Sequence, residues 1–322
     1  MKSVEKRMVL VSGSINEKLA QDISQELNFP LGDISLEQFA NGEIYARYNT
    51  SVRGADVFII QSVCERVNDA LMEVLIMADA AKRASARTVT AVLAHYGYAR
   101  QDKKSAAREP ITAKLVANLY TVAGIDRIIT IDLHQGQIQG FFDTPVNHLT
   151  ALSLFADYFN GKGFNKEDLV VVSPDVGRAK AAKKLSDLMG CSIAIMHKGR
   201  PQHNVAEITS VIGDVKGKTC IINDDMIDTA GSITAGVKAL KNMGAGKIYV
   251  SATHGLLSGP AMERLDKADI EEVVVTDAVP VAEEKRIDKL KILSVAPLFA
   301  RAINNVYNEA SVSELFDPNF AL

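Results

Sequence analysis

The chain has 322 residues, a length too great for one ordinary hydrophobic core and suited to two domains of about 150 residues each. Hydrophobic residues make up 47% and charged residues 23% of the chain, a balance typical of soluble globular proteins. The formal net charge of −3 excludes a general attraction to nucleic acid or to an acidic membrane surface, so neither is an expected partner. Any phosphate chemistry must therefore come from local clusters of basic residues.

The cysteines and the N-terminal segment bear on location. Cys64, Cys191 and Cys220 stand far apart without paired spacing, which argues against a disulfide framework and a zinc site and favours a reducing compartment. The segment from Met1 to Arg7 is polar and charged, and no long apolar stretch follows it. We therefore predict neither a secretory signal nor a membrane span, and we expect the chain in the cytoplasm.

Short apolar runs alternate with amphipathic stretches of helical length along the whole chain. In the first half the predicted strands are Met8–Val11, Val57–Gln61, Val89–Ala94 and Ile128–Ile131, and the predicted helices between them are Glu17–Leu27, Asp69–Arg83 and Ala113–Ala123. In the second half the predicted strands are Leu169–Val172, Ser192–Met196, Thr219–Ile222, Lys247–Ala252 and Glu272–Val275, and the predicted helices are Ala179–Met189 and Ile233–Met243. Continuous apolar strands between helices indicate mostly parallel sheets covered on both faces, so the predicted fold class is α/β.

Two stretches of the chain echo one another. Arg53-Gly54 precedes an apolar strand, an alanine-rich helix and a strand that ends on His95, and Lys216-Gly217 precedes the same series ending on His254. Such a pattern arises either by duplication or by chance in an α/β protein. It favours two similar domains with a seam near Val146 to Thr150. The predicted domains are 1–149 and 150–322.

The most informative segment runs from Cys220 to Thr234. An apolar strand leads into two adjacent carboxylates, then a turn of small residues, then a helix. Ligands of parallel α/β folds bind beyond the carboxyl ends of the strands, where Asp224 and Asp225 can accept hydrogen bonds from sugar hydroxyls. The turn can offer backbone N–H groups to a phosphate at the helix N-terminus, and Gly231 permits close approach. An ordinary capped helix start is the simpler alternative.

Two other segments carry clustered cations. Tyr98 to Lys104 places three cations and a glutamine just after a predicted strand, where they can hold phosphate groups. Lys198 and Arg200 alternate on an extended segment, so both can point to one side. Their surroundings, Gly199 and Pro201 to Asn204, are typical of a mobile loop that closes over a transferring group and excludes water. Solvated basic stretches are the simpler interpretation of both segments.

The chain resembles the class I ribose-phosphate diphosphokinases, also known as phosphoribosyl diphosphate synthetases, from about Met8 to Phe316 in the family's order. Besides the segments above, the resemblance rests on Phe39-Ala-Asn-Gly-Glu43, Thr130-Ile-Asp-Leu-His134, Gln137 to Pro145, Val172-Ser-Pro-Asp-Val-Gly177, His197-Lys-Gly-Arg-Pro201 and Ala252 to Pro260. It implies transfer of the β,γ-diphosphoryl group of ATP to the anomeric hydroxyl of ribose 5-phosphate, with Mg²⁺, giving 5-phosphoribosyl 1-diphosphate and AMP.

The resemblance implies roles for individual residues. Lys198 and Arg200 are implied to be catalytic, and His134 and Asp175 to be metal ligands, although a lone histidine is more often structural and Mg²⁺ prefers oxygen. The implied ATP-binding residues are Phe39, Asn41, Glu43, Arg100, Gln101, Asp102, Lys103 and His134. Those implied for ribose 5-phosphate are Asp224, Asp225, Asp228, Thr229, Ala230, Gly231 and Ser232. An allosteric anion site is implied at Ser51, Arg53, Gln139, Asn147, Ser311 and Ser313.

The resemblance also implies a homo-oligomer, a hexamer built from dimers, in which the loop from Phe39 to Glu43 enters the ATP site of a neighbouring subunit. The chain departs from the family's pattern at four positions. Arg178 replaces a usual glycine, Asn147 and Asn41 replace aspartates, and Ser232 replaces threonine. We expect phosphate activation to be retained, because Ser51, Arg53, Ser311 and Ser313 still match the family's anion site, but to be weaker, given Arg178 and Asn147.

Two rival functions follow from the same residues. A phosphoribosyltransferase shares the Asp224 to Ser232 loop, but it does not need the Arg100 cluster and usually has one domain. A non-catalytic regulatory subunit of a synthetase keeps the fold and loses part of the catalytic set. That set is present here as Lys198, Arg200, His134 and Asp175.

Overall fold

A computed structural model of the chain describes residues 6–202 and 205–315. Its strands are β1 (Met8–Ser12), β2 (Ile34–Gln38), β3 (Ile44–Tyr48), β4 (Asp56–Ser62), β5 (Thr88–His95), β6 (Arg127–Ile131), β7 (Val146–Leu149), β8 (Leu169–Ser173), β9 (Ser192–Gln202), β10 (Val205–Ile212), β11 (Thr219–Ile227), β12 (Ile248–Gly255), β13 (Glu272–Thr276) and β14 (Leu290–Leu293). Its α-helices are α1 (Glu17–Glu26), α2 (Val67–Arg83), α3 (Thr112–Val122), α4 (Leu152–Asn160), α5 (Ala179–Met189), α6 (Gly231–Asn242), α7 (Ala261–Lys267) and α8 (Ala296–Tyr307). Short 3-10 helices include Gly136–Phe141 and Val176–Arg178. The predicted α/β class is confirmed.

The described residues divide into two compact units. The first comprises residues 6–149, 278–280 and 295–315, and the second comprises residues 150–277, without 203–204, and 281–294. The C-terminal helix α8 therefore belongs to the first unit, where it packs against α1. The chain leaves the first unit after β7 and returns to it near its end.

The first unit is built on a five-stranded sheet in the order β1-β4-β5-β6-β7, in which every pairing is parallel. Every residue of β4 is buried, and α2 buries an apolar face that includes Val74 and Met77. Hydrophobic burial of this kind, about 25 cal/mol per Å² of apolar surface, holds helices and sheet together. Strands β2 and β3 form a separate antiparallel hairpin.

The second unit is built on a seven-stranded sheet in the order β10-β9-β8-β11-β12-β13-β14. All its pairings are parallel except that of β10 with β9. The core of this sheet, β8-β11-β12-β13-β14, repeats the order β1-β4-β5-β6-β7 of the first unit. Gly54 and Gly217, which precede β4 and β11, have matching backbone angles φ of +68° and +74°. The repeated topology supports duplication as the source of the sequence echo.

The strands and helices predicted from the sequence are all present, with bounds that differ mainly at their ends. The segment around Lys198 and Arg200, predicted as a mobile loop, is described as far as Gln202, and residues 203–204 of the predicted loop lie outside the described residues. Its backbone continues β9 to Gln202 and pairs with β10, so here it is an antiparallel ribbon. Main-chain hydrogen bonding along this edge requires no particular side chains, which is why the sequence pattern did not reveal it.

Candidate active site

The carboxyl end of β11 carries the two predicted acidic residues. Pairing of β11 with β8 stops at Ile222, whereas its pairing with β12 continues to Ile227. Asp224 and Asp225 therefore lie where one neighbouring strand has ended and a gap opens in the sheet. The side chain of Asp225 is only 2% exposed, and that of Asp224 is 18% exposed.

Arg178 faces both carboxylates. Its Nε lies 3.8 Å from an oxygen of Asp224 and 3.8 Å from an oxygen of Asp225. Burial, together with the negative charge of Asp225, raises the pKa of Asp224 to about 7, and the nearby guanidinium opposes that rise. The bulky cation at the family's usual glycine position thus lies beside the two adjacent acids, and it partly neutralises them.

Asp224 makes a testable contribution to stability. Its pKa in the folded state is about 7, above the value of about 3.9 in an unfolded chain. Both states are protonated below about pH 3, so folding carries no penalty there. As the pH rises to 7 the unfolded state ionises first, and folding becomes progressively less favourable. Asp224→Asn removes this penalty and should stabilise the protein by up to about 4 kcal/mol above pH 7, or about 1.4 kcal/mol for each of about three pKa units, with little change near pH 4.

Thermal unfolding across pH 4 to 8 measures this difference. The matched control is Asp187→Asn, whose carboxylate forms an exposed ion pair with Lys183 on α5. Exposed pairs contribute little, so this control should stay near wild type at every pH. A pH-independent difference for Asp224→Asn would contradict the assignment.

The predicted phosphate loop follows β11 directly and ends in α6. The helix begins after Ala230, which has a left-handed φ of +58°, and no side chain caps its first turn. The first N–H groups of a helix have no partner within it, and the helix dipole makes this end attractive to anions. The simpler alternative, a helix capped by aspartate or serine, is wrong. The uncapped start leaves donors for a phosphate.

Left-handed backbone occurs after strands of both units, and in the first unit it includes Arg66, which follows β4 with φ of +40°. Tyr98 and Asp132 follow β5 and β6 with φ of +64° and +37°, and Ala230 and Leu257 follow β11 and β12 with φ of +58° and +49°. Residues other than glycine avoid this region, and strained backbone is concentrated at functional sites. The strain therefore indicates the carboxyl edges of both sheets as functional.

The basic segment after β5 lies on the surface of the first unit. Arg100, Gln101 and Lys103 are exposed, whereas Asp102 is buried and accepts a hydrogen bond of 3.4 Å from Gln137. Gln101 accepts a hydrogen bond from the hydroxyl of Thr112, which ties the segment to α3. Asp102 and Gln101 thus anchor the segment, and its cations face solvent.

His134 follows β6 in the same unit, and the residue before it, Leu133, contacts a histidine that no sequence motif indicated. His148, on β7, accepts a hydrogen bond of 2.8 Å from the backbone N–H of Leu133 through its Nε2. The Nδ1 atom of the same ring lies 3.1 Å from the side-chain Nε2 of Gln139. His148 therefore fixes the turn that presents His134. His148 lies on a strand of only four residues, which is too short to show a periodic pattern in the sequence.

Asp175 stands after β8 and caps the 3-10 helix Val176–Arg178 by accepting from the N–H of Arg178 at 3.1 Å. The side chain is half-buried, and a single carboxylate fits Mg²⁺, which protein sites commonly bind through one or two carboxylates plus substrate phosphates. No cluster of three or more His, Cys, Asp or Glu side chains in the described ranges can hold a metal by itself. The donor set therefore fits a metal brought with phosphates.

The loop from Phe39 to Glu43 forms the tip of the hairpin of β2 and β3. The N–H of Phe39 donates to the carbonyl of Glu43 at 2.8 Å, and the side chain of Asn41 accepts from the N–H of Glu43 at 3.2 Å. These bonds define the turn, while the ring of Phe39 is 52% exposed. A large apolar ring held at an exposed tip is suited to contact another surface.

The side chains of Lys198 and Arg200 lie outside the described part of the structure, although their backbone belongs to β9. The expected anion-site residues all belong to the first unit. Ser51 accepts from the N–H of Arg53 at 3.4 Å, and Ser311 accepts from the N–H of Ser313 at 3.2 Å. Each pair thus forms a local turn with polar groups at the surface.

Asn147 lies on β7 and is buried. Its side-chain oxygen accepts a hydrogen bond of 3.3 Å from Arg127. An aspartate here would make the same contact as an ion pair, so the asparagine leaves Arg127 with more uncompensated positive charge.

Two family profiles match the chain: the N-terminal domain of ribose phosphate pyrophosphokinase over residues 8–124, and the phosphoribosyl synthetase-associated domain over residues 201–317. Ribose-phosphate pyrophosphokinases of Fusobacterium nucleatum and Clostridium tetani are 51% and 52% identical to it, over 96% and 97% of this chain and 98% of each relative. A crystal structure of phosphoribosylpyrophosphate synthetase from Mycobacterium smegmatis matches with a TM-score of 0.89 and 47% identity, covering 95% of this chain and 100% of that one.

The uncapped helix after an acidic strand end, together with these matches, defines an α/β enzyme of phosphate-group transfer. The chain belongs to the ribose-phosphate pyrophosphokinase family. It is a transferase of nucleotide biosynthesis, and the resemblance found in the sequence is confirmed. Its relatives match over almost their whole length, which removes the single-domain phosphoribosyltransferase as a rival.

Proposed function

We propose that the chain performs its family's reaction through the residues described above. The anomeric hydroxyl of ribose 5-phosphate attacks the β-phosphorus of ATP. The bond from that phosphorus to the oxygen bridging it to the α-phosphorus breaks, and AMP leaves. The products are 5-phosphoribosyl 1-diphosphate and AMP. The observation that carries the proposal is the uncapped start of α6 directly beyond the acidic end of β11.

The second unit binds the sugar phosphate in this proposal. Asp224 and Asp225 accept hydrogen bonds from the ribose hydroxyls, because both are carboxylates at an open strand end. The residues from Asp228 to Ser232 hold the 5-phosphate with backbone N–H groups and hydroxyls, as helix N-termini commonly do. Lys198 and Arg200 stabilise the charge that develops on the transferring oxygens.

The first unit supplies the contacts to ATP. Arg100 and Lys103 hold its phosphates, which is consistent with their exposure on an anchored segment. Phe39 stacks on adenine while Asn41 and Glu43 contact its polar edge. Mg²⁺, when bound with the nucleotide, neutralises charge on the phosphates. Asp175 is the residue whose chemistry best suits it, and His134 serves better as a phosphate contact.

One assay tests the reaction itself. With ATP, magnesium and ribose 5-phosphate, AMP should form one-for-one with the phosphoribosyl product. Omission of ribose 5-phosphate is the control, and AMP formation should then cease. Appearance of ADP would instead indicate a simple kinase. Absence of any nucleotide product would favour the regulatory-subunit interpretation.

We also propose that the chain works as a homo-oligomer, a hexamer, with the Phe39 loop acting on a neighbouring subunit. Helix α3 supports this proposal because apolar side chains at helical spacing lie on its surface. They are Ile111, which directly precedes the helix, and Leu115, Leu119 and Val122 within it, and they are 38%, 56%, 38% and 85% exposed. A stripe of this kind is typical of a surface that another chain covers.

The proposed location is the cytoplasm. Cys64, Cys191 and Cys220 form no disulfide in the part of the chain that the structure describes. No helix among the described residues is both long enough and apolar enough to cross a bilayer.

The proposed anion site yields a further prediction at Asn147. Asn147→Asp should pair with Arg127 as an ion pair and change the phosphate concentration needed for activation by about threefold, since it restores the family's usual charge. A phosphate titration at fixed substrates, run beside the unmodified chain, measures the difference. Coincident curves would show that Asn147 does not set the response.

A further inference from the structure

The segment that follows β12, together with α7, donates hydrogen bonds to the backbone carbonyls of the phosphate loop. The N–H of Leu257 donates to the carbonyl of Ile227 at 3.0 Å, and the N–H of Ser258 donates to the carbonyl of Asp228 at 2.9 Å. The third donor is a side chain, since Nη1 of Arg264 donates to the carbonyl of Thr229 at 2.9 Å. Three consecutive loop carbonyls therefore point toward the same neighbouring segment.

This arrangement fixes the direction of the loop's N–H groups. A trans peptide unit is planar, and its N–H points opposite to its carbonyl. With the carbonyls of residues 227, 228 and 229 turned toward residues 257–264, the N–H groups of Asp228, Thr229 and Ala230 are turned the other way. Successive N–H groups that converge in this manner form an anion-binding concavity. The three hydrogen bonds to these carbonyls thus create the concave surface of N–H groups that the 5-phosphate requires.

Arg264 holds the most strained peptide of the three. It fixes the carbonyl of Thr229, and the next residue, Ala230, adopts the left-handed φ of +58°. Without an external donor on that carbonyl, the peptide can rotate and relieve the strain. The guanidinium also lies close to Gly231, where an added Cβ would come within 3.3 Å of Nη1. Glycine at this position lets the arginine reach the loop.

We propose that Arg264 is a positioning residue that orients the Thr229–Ala230 peptide so that its N–H faces the 5-phosphate of ribose 5-phosphate. The inference rests on the proposed binding of that phosphate by the loop. Arg264 acts through the backbone and lies on α7, outside the residues expected to touch substrate.

The test is Arg264→Met, which removes the donor and keeps much of the side-chain volume. We expect the Kd and KM for ribose 5-phosphate to rise about fivefold, as for loss of one hydrogen bond that orders a binding group. The kcat should change less than about twofold, and the KM for ATP should not change. Isothermal titration with ribose 5-phosphate alone gives the Kd independently of activity. Arg264→Lys, which retains a donor, should recover most of the affinity.

Lys267→Met is the matched control, because it removes one positive charge from the same helix, where the amine pairs with Glu263 at 2.6 Å. It should bind ribose 5-phosphate like wild type. The fivefold effect of Arg264→Met should persist when salt is raised from about 0.05 to 0.5 M, since a direct charge contact with phosphate would be screened. Wild-type affinity in Arg264→Met, or an effect that salt abolishes, would overturn the proposal. Absence of AMP formation by the unmodified chain would instead refute the proposed function.

Discussion

Lys198→Ala should lower kcat at least about 100-fold while changing the KM for either substrate much less. The reason is that its proposed contact is with charge that develops on the transferring diphosphoryl group, and an interaction made only in the transition state appears in kcat. Asp225→Ala should give the opposite pattern, a large rise in the KM for ribose 5-phosphate with a smaller loss of kcat. Steady-state kinetics on both variants, measured by AMP formation, separates the two roles.

Lys180→Ala is the charge-matched control for Lys198→Ala, since this exposed lysine of α5 has no proposed role. It should retain wild-type kinetics. Similar small effects from Lys198→Ala and Asp225→Ala would show that the assignment of chemistry to one and binding to the other is wrong.

Co-expression of Phe39→Ala and Lys198→Ala subunits should restore activity that neither variant shows alone. If the exposed hairpin tip completes the ATP site of a neighbouring subunit, random assembly gives about one quarter of the sites with neither lesion. Activity of the mixed oligomer should approach that fraction of wild type. If Phe39 acts within its own subunit, every site carries a lesion and no recovery occurs.

The control for this experiment pairs Phe39→Ala with a chain that carries both changes. Every site then receives a defective hairpin tip and half of the sites also lack Lys198, so activity should fall to about half that of Phe39→Ala alone. Light scattering on each sample measures its oligomeric state. A fully active monomer would contradict the proposed assembly.

The strands that were predictable from the sequence are those buried on both faces. In β4, β5, β8 and β11 continuous apolar runs leave few alternatives to a central parallel strand. The hairpin of β2 and β3 was not predicted, because its residues are half-buried or exposed and show no continuous apolar run. Short edge strands such as β7 and β14 carry too few residues for a periodic signal.

Site residues that are close together in the sequence could be predicted, whereas contacts between residues far apart in the sequence could not. Asp224 and Asp225 are recognisable from the sequence because they are adjacent acids directly after an apolar strand. The ion pairs from Arg178 to both acids depend on β8 and β11 being neighbours, which no local pattern states. The left-handed conformations of Tyr98 and Leu257 were also unpredictable, because neither residue type favours them.

The return of α8 to the first unit bears on how the gene can be rearranged. The hydroxyl of Tyr307 donates to the carbonyl of Lys6 at 2.7 Å, and Lys6 pairs with Glu309 at 2.9 Å. Lys6 and the C-terminal end of α8 are therefore side by side, and a short flexible linker can connect these two points of the chain. New termini opened at the exposed turn around Gly163 would give a circular permutant that keeps every strand of both sheets. In that permutant the first unit would be one uninterrupted stretch of sequence, except for the three residues 278–280.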